Sequence, residues 1–272
     1  AALAKAGFAC YDMGNYRQAI PFCEKLIKRF PTDGRVEDSQ LCLSESHYQL
    51  EDYETARKAY AELLERFPKG RYVFEARSAM AWCDHAAGRI LEAARGFAEA
   101  ARLAGKNREK ALQAYYDAGT AFREAGRLDE AVDQLAKVAA AEKHRLQGPA
   151  LFRMGAFRLE QAKSAARAAA QARGKGDRDA AAKLDAERLA HTREAVSYLE
   201  RARDLPSLGA DAPEAGTFLG EAYLDLGDFS KAAKAFGWVA RSWPKDPRAA
   251  WALYHQALAL REQAKALGRE GK

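Results

Sequence analysis

The stretch GFACYDMGNYRQAIPFCEKLIKRFP, from Gly7 to Pro31, returns in altered form along the chain and decides its fold. Its most regular element is an alanine that follows a turn and stands four residues before a larger or thiol side chain. This alanine recurs at intervals of 37, 37, 38, 64 and 37 residues, as Ala19, Ala56, Ala93, Ala131, Ala195 and Ala232. A nearly constant period of about 35 to 40 residues is typical of helical repeat arrays. The spacing therefore predicts an all-α array, and we do not expect a buried enzyme pocket in such an array.

The repeats resemble the tetratricopeptide repeat, a helix-turn-helix motif. The resemblance is carried by the first stretch, by YQLEDYETARKAYAELLERFP ending at Pro68, and by FLGEAYLDLGDFSKAAKAFGWVARSWP ending at Pro244. It implies a small residue on helix A that lets helix B approach closely; the positions are Gly7, Ser44, Ala81, Gly119, Gly155 and Gly220. It also implies turns in which glycine adopts the left-handed backbone region and Asp or Asn caps helix B.

The resemblance implies one α-α superhelix of about six repeats, a tetratricopeptide solenoid. The repeats are predicted over residues 2–33, 38–70, 75–106, 113–144, 149–207 and 214–246. Residues 247–267 are predicted to form an amphipathic helix that caps the open end of the array, and residues 268–272 a tail.

One interval is longer than the others, because 64 residues separate Ala131 from Ala195. Helix-favouring sequence continues on both sides of the turn Gly174-Lys175-Gly176-Asp177, and the excess divides almost equally between the two arms. Both helices of the fifth repeat are therefore predicted to be elongated into a spur, about residues 161–192, that projects roughly 20 Å. The spur is interpreted either as a solvated extension or as a docking arm. In the second case its contact candidates for an acidic surface are Arg167, Arg173, Lys175 and Arg178.

Positions transferred by register from the family place aromatic side chains along the concave face of the array. The predicted partner-binding residues are Tyr11, Tyr48, Trp82, His85, Tyr116, Arg123, Phe152 and Phe218. The lysine and asparagine pattern of a chaperone-type carboxylate clamp is absent. The groove is predicted to bind an extended or helical apolar peptide with some charged ends. For each aromatic residue alone, packing between helices is the alternative.

Composition disfavours several other functions. The net charge of +6 comes from 44 basic and 38 acidic residues that are interspersed, so no basic stripe predicts a nucleic-acid partner. No run of 18 apolar residues predicts membrane insertion. No metalloprotease, hydrolase, P-loop or dinucleotide motif occurs, so we expect no catalytic residue, metal or cofactor. The four cysteines lack a CxxC pair, which favours free thiols and a cytoplasmic location; the periplasm is the alternative if a signal segment was removed.

The leading hypothesis is a protein-interaction scaffold that binds a peptide or partner protein through the aromatic groove. Alanine- and arginine-rich usage is typical of a GC-rich bacterial genome. The style of the repeats resembles bacterial scaffolds of motility, polarity or secretion complexes and bacterial envelope proteins, and such a complex is what the resemblance implies. Two alternatives stay open: a self-associating architectural segment of a larger multi-repeat protein, and a periplasmic envelope-assembly protein with tetratricopeptide repeats.

Overall fold

The structure, a computed structural model, describes residues 1–270, and within that range it contains thirteen α-helices and no strand. The α-helices are α1 (Ala2–Asp12), α2 (Tyr16–Arg29), α3 (Val36–Gln49), α4 (Tyr53–Arg66), α5 (Val73–Ala86), α6 (Ile90–Leu103), α7 (Arg108–Glu124), α8 (Leu128–Ala139), α9 (Gln147–Gly174), α10 (Arg178–Arg203), α11 (Ala212–Asp225), α12 (Phe229–Ser242) and α13 (Arg248–Glu270). A 3-10 helix, Pro206–Asp211, precedes α11. The predicted all-α class of helix-turn-helix repeats is confirmed.

The chain divides into two compact units, Ala1–Gln134 and Leu135–Lys272, with the division inside α8. In the first unit, each helix from α1 to α7 packs against the next one, and α1 also packs against α3. In the second unit, the helices from α9 to α13 pack in the same consecutive order, and the 3-10 helix lies against α9 and α11. Each unit is thus built from neighbouring helical hairpins.

The sequence period is also the packing period of the helices. The six recurrent alanines are fully buried, with an exposed fraction of zero for each. On the facing helix, a Cβ added at Gly155 would lie 2.6 Å from Cγ of Leu199, and one at Gly220 would lie 2.4 Å from Cε1 of Phe236. A side chain at either glycine would therefore collide with the large residue that follows the recurrent alanine by four positions. Small residues are required on both helices because the backbones approach so closely.

The turns within the hairpins follow the predicted glycine geometry with one substitution, and the expected Asp or Asn cap is not formed at every turn. Glycine adopts a positive φ at four equivalent turns: Gly14, Gly88, Gly126 and Gly227. In the second repeat the same place is taken by Glu51, with φ of 61°. Asp52 and Asp228 cap their helices by accepting backbone N–H bonds, whereas Asn15 makes no such bond. A left-handed glutamate costs more than a glycine there, since its Cβ crowds the backbone.

The fifth repeat carries the elongated hairpin. Helices α9 and α10 are 28 and 26 residues long, against 14 for α11 and α12. The arms meet through buried alanines, Ala162, Ala165, Ala169 and Ala181. At the tip, Gly176 has a φ of 79° and Asp177 accepts the N–H of Ala180 at 3.0 Å. The alanine-rich composition therefore permits two helix backbones to lie close together beyond the usual repeat length.

Helix α13 covers α12, as expected of the C-terminal helix. The rings of Trp251 and His255 each lie 5.5 Å from the ring of Phe236. Ala249, Ala252 and Ala259 form the buried face of α13. The helix continues to Glu270, three residues beyond its predicted end, and the remaining predicted tail residues lie outside the described range.

Candidate protein-binding surface

The candidate surface of the first unit is a row of side chains on successive A helices. Tyr11, Tyr48, His85 and Arg123 occupy the same register position in α1, α3, α5 and α7, while Trp82 and Tyr116 lie one or two turns earlier in α5 and α7. We call these six residues the helix A row. None of them is fully buried, and the indole of Trp82 is 42% exposed. The structure thus leaves each of them at least partly accessible to a partner.

The two tyrosines of the row are anchored from one side. Tyr11 packs edge-to-face on Tyr16 with ring centroids 5.4 Å apart, and Tyr48 packs on Tyr53 in the same way at 5.5 Å. Tyr16 and Tyr53 are the first residues of the following B helices. Burial, reinforced by the charge of Glu45, raises the pKa of Tyr11 to about 12. Both rings are therefore rigid, neutral platforms with one accessible side.

A carboxylate lies among these tyrosines. Glu45 of α3 is half-buried, and burial raises its pKa above the usual value although hydrogen bonding from the Tyr60 hydroxyl lowers it. Its charge in turn raises the pKa values of Tyr11, Tyr48 and the fully buried Tyr60, in each case after the larger effect of burial. Within residues 1–270, Glu45 forms no ion pair with a basic side chain. The first unit therefore holds a partly desolvated acid without a cationic partner.

The row continues through Trp82 and His85 of α5. Trp82 packs edge-to-face on Phe97 at 4.8 Å, with His85 at 5.9 Å. The Nε2 atom of His85 lies 2.7 Å from Oε2 of Glu124, which joins α5 to α7. The indole is thus fixed on one side and open on the other, while the histidine is already engaged by a carboxylate.

On α7, Tyr116 and Arg123 extend the row. Tyr116 is half-buried, and its carbonyl oxygen accepts a hydrogen bond from the Thr120 hydroxyl at 3.1 Å. Arg123 is exposed near the end of the helix. Arg123 and Glu45 therefore lie on different A helices of the first unit, α7 and α3.

In the second unit, Phe152 of α9 and Phe218 of α11 stack on each other, with centroids 5.8 Å apart and an interplanar angle of 28°. Both rings are half-buried. The structure brings these two predicted residues together as a contact between helices, which is the packing role stated above as the alternative. Some of each ring remains accessible, so the pair is a smaller surface than the helix A row.

The predicted contact residues of the spur fall into two groups. Arg173 forms an ion pair with Asp185 at 2.5 Å across the tip. Arg167, Lys175 and Arg178 are exposed and form no ion pair within the described part of the chain. The root of the spur is tied to α11 by the ion pair between Arg188 and Asp225. The unpaired cations therefore lie on the free part of the spur.

A buried acid on α5 was not found from the sequence. Asp84 is 5% exposed and accepts hydrogen bonds from Nε of Arg57 and Nε of Arg89, each at 2.7 Å. This cluster joins the second and third repeats beneath the helix A row. Arg57 and Arg89 lie 27 and 5 residues from Asp84 in the sequence, so no local motif predicts this cluster.

Two negative findings concern residues 1–270. No cluster of three histidine, cysteine or acidic side chains in this range has the arrangement of a metal site. Over the same residues, every helix is too short or too polar to traverse a lipid bilayer.

Comparison with known proteins agrees with the repeat pattern. Models of the tetratricopeptide repeat family match residues 1–33, 38–70, 113–141 and 217–270, which is more than half of the chain. No curated protein matches.

Among solved structures, YrrB, described as a tetratricopeptide repeat protein with an unusual peptide-binding site, is 15% identical, with 85% of this chain and 97% of that chain covered and a TM-score of 0.54. A tetratricopeptide repeat protein from Bacteroides fragilis is 15% identical, with 82% and 96% covered and a TM-score of 0.51. Identities this low show the fold alone. Because the family models match more than half of the chain, the chain belongs to the tetratricopeptide repeat family.

Proposed function

We propose that the first unit binds a peptide segment of a partner protein along the helix A row. Tetratricopeptide repeat proteins are protein-interaction scaffolds that bind protein or peptide partners and are generally not enzymes. The specific surface follows from the accessibility of the row and from its mixture of fixed aromatic rings and charges. Rigid aromatic platforms are effective binding anchors, because little side-chain entropy is lost when a partner covers them.

The observation that carries the proposal is Glu45. A carboxylate that is partly removed from water and has no basic neighbour is destabilised, and a cation from a partner relieves that cost. Tyr11 and Tyr48 lie beside this carboxylate and offer ring faces that attract a cation. The partner segment therefore carries a lysine or arginine that enters between the two tyrosines.

The rest of the segment is apolar near Trp82. The exposed side of this indole offers an anchor for an aliphatic or aromatic side chain, and Arg123 farther along the row favours an acidic group beyond it. The proposed ligand is therefore a peptide with a basic residue followed or preceded by a hydrophobic one. Either an extended chain or one face of a helix meets this requirement.

The test is selection of a displayed random peptide library on the intact protein, followed by titration of an enriched peptide. We expect enriched sequences to pair a basic residue with a hydrophobic one. Glu45→Gln is expected to weaken binding about tenfold, a loss of about 1.4 kcal/mol. Trp82→Ala is expected to weaken it similarly, whereas Trp251→Ala, which removes a 38% exposed indole of the second unit, leaves it unchanged. Enriched peptides without a basic residue, or full affinity in Glu45→Gln, would contradict the proposal.

A second contact surface is proposed toward the tip of the spur, because three exposed cations there form no ion pair within the described residues. An acidic segment is the matching ligand. The same library supplies the test. Acidic peptides selected by the wild type should disappear when the library is presented to a variant with Arg167, Lys175 and Arg178 replaced by serine. Their persistence would exclude the tip.

A reducing compartment, the cytoplasm, is proposed for the chain, with the periplasm as the alternative. The support comes from the four cysteines, all of which are free thiols and three of which are buried. The bacterial assembly in which the scaffold works, whether for motility, polarity, secretion or the envelope, belongs to the same proposal. Alkylation of intact cells followed by mass spectrometry tests the compartment, because the proposal requires the half-exposed Cys10 to be recovered as a thiol.

A further inference from the structure

Helix α13 has the register of an A helix, and no B helix packs on it among the described residues. Ala257 follows Gly220 by 37 residues and so takes the small-residue position. In the sixth repeat that position is covered by Phe236, which a Cβ on Gly220 would touch at 2.4 Å. On α13 the equivalent Ala257 is exposed. The surface on which a second helix would pack is therefore present and uncovered among the described residues.

This open face has a regular pattern. Alanines recur every seven residues at Ala250, Ala257 and Ala264, and leucines recur every seven residues at Leu253, Leu260 and Leu267. We call these six residues the α13 stripe. All are exposed, and the leucines are exposed by 56%, 50% and 62%, respectively. Alternating spacings of three and four residues place them on one line along a helix, as in the seam of a coiled coil.

We propose that the α13 stripe pairs with the α13 stripe of a second copy of this chain, with the two helices antiparallel. The exposed area argues for a second copy. The stripe and the adjoining Tyr254, itself 62% exposed, present on the order of 600 Å² of apolar surface. Two copies would together bury at most about 1,200 Å², which is the lower limit of a specific interface.

The orientation follows from side-chain volume. In an antiparallel pair, Ala250 meets Leu267 of the second copy, Leu253 meets Ala264, and Ala257 meets Leu260. Every layer then combines a small with a large side chain, which fills the space between the helices evenly. A parallel pair would place alanine on alanine and leucine on leucine in alternate layers, which leaves voids at the alanine layers.

The antiparallel register also matches the residues that flank the stripe. Tyr254 and Arg261 lie on the same side of it, and antiparallel pairing brings Tyr254 of one copy beside Arg261 of the other. A guanidinium over a tyrosine ring adds a favourable cation–π contact on each side of the two-fold axis. Neither residue belongs to the helix A row, so this inference is independent of the peptide-binding proposal.

Sedimentation equilibrium on the intact chain, from about 1 to about 200 µM, tests association by mass action. We expect a reversible dimer of twice 29.9 kDa. Leu260→Glu should weaken it by about 100-fold or more, because an unpaired carboxylate would be buried in the seam. Leu103→Glu is the matched control, a 42% exposed leucine on α6, and should leave the dimer intact. Circular dichroism should show equal helix content for both variants, since each leucine is exposed.

Cross-linking tests the orientation. Ala257→Cys and Leu260→Cys variants, mixed under mild oxidation and mapped by mass spectrometry, should link to each other faster than either variant links to itself. Faster self-linking would refute the antiparallel arrangement. A monomer throughout the concentration range, a dimer that Leu260→Glu does not weaken, or open-ended growth beyond two copies would each overturn the proposal. A monomer would instead leave the stripe to a helix of another protein.

Discussion

Replacing Gly220 by alanine tests the central idea that the repeat period is a contact between a small residue and a large one. The new Cβ would lie 2.4, 2.5 and 2.7 Å from three ring carbons of Phe236. Ordinary carbon–carbon contact is about 3.5 to 4.0 Å. The ring cannot withdraw easily, because Phe236 is fully buried and packs against Trp251 at 5.5 Å. The helices must separate or the ring must leave its favoured rotamer.

The magnitude follows from two opposing effects. Overpacking of a well-filled core costs about 1 to 3 kcal/mol, and contacts this short with a buried ring place Gly220→Ala at the upper end. Alanine in a helix interior is favoured over glycine by about 1 kcal/mol, which offsets part of the loss. We therefore expect the free energy of unfolding to fall by about 2 kcal/mol.

Three further glycines make the test a graded series. Gly155→Ala meets Cγ of Leu199 at 2.6 Å, and Gly7→Ala meets Sγ of Cys23 at 3.0 Å. A flexible leucine yields more than a ring does, and the 3.0 Å contact needs only a small shift, so the losses should be about 1 kcal/mol and near zero, respectively. Gly174→Ala, at the end of α9 with open space around it, is the control and should be neutral or stabilising by about 0.5 kcal/mol.

Urea unfolding followed by tryptophan fluorescence suits the assay, since three of the four tryptophans belong to the second unit, as Gly220 does. Circular dichroism gives the helix content of the whole chain. A repeat protein need not unfold in one step, so midpoints are compared only where both probes coincide. Adding Phe236→Leu should relieve Gly220→Ala, and the double variant should be more stable than the sum of the single losses predicts. Wild-type stability of Gly220→Ala, or a series in the reverse order, would refute the small-on-large explanation.

Four other substitutions give three shorter tests. Glu51→Gly removes a left-handed glutamate and should raise the free energy of unfolding by about 0.5 to 1 kcal/mol, whereas Gly88→Ala at the equivalent turn should lower it by about 1 kcal/mol; thermal melts compare them. Because the pKa of Glu45 is raised in the folded state, the folded chain binds this proton more tightly than the unfolded chain and the contribution to stability is lost as pH rises. Glu45→Gln should therefore be more stable than the wild type at about pH 7, with the difference gone by about pH 4, as urea titrations at both values will show. Asp84→Asn leaves two arginines without their shared carboxylate and should cost about 2 kcal/mol; unchanged urea midpoints would show that the ion pairs contribute nothing.

The fold could be predicted because the residues that determine it recur at a nearly constant interval and act through the backbone geometry of a single hairpin. A hairpin is specified by a small residue, a left-handed turn and, twelve positions after the small residue, a buried alanine. The surface side chains do not change this. The spur was predictable for the same reason, since Gly174 to Asp177 interrupts helix-forming sequence midway between two equal arms. The 3-10 helix at Pro206–Asp211 was not, because its turn depends on Gly209 at a φ of 55° and on contacts with α9 and α11.

The candidate surface was predictable only in part. Register identifies which residues of an A helix share a row, and this yields Tyr11, Tyr48 and Trp82. It does not reveal which side chains of other helices surround them. The isolation of Glu45 and the double pairing of Asp84 depend on residues from neighbouring repeats, whose contacts appear only when the helices are packed. Similarly, the heptad spacing of the α13 stripe is visible in the sequence, but whether the stripe is exposed depends on which face of α13 packs against α12.

At Glu45, the residue that would best stabilise the fold differs from the residue that we propose is needed to bind a partner. At most positions of this chain, the residue that stabilises the hairpin is also the one that the repeat pattern asks for, as with Gly220 and Phe236. At Glu45 a neutral glutamine would suit the half-buried site better, and yet the carboxylate is present beside two tyrosines without a cation. Local conflicts of this kind are expected at functional sites, where stability is exchanged for interaction. A single substitution can decide the matter, because a purely structural residue would change stability alone. If Glu45→Gln stabilises the free protein at neutral pH and weakens a basic peptide in the same buffer, the carboxylate is held in an unfavourable place for the sake of a partner.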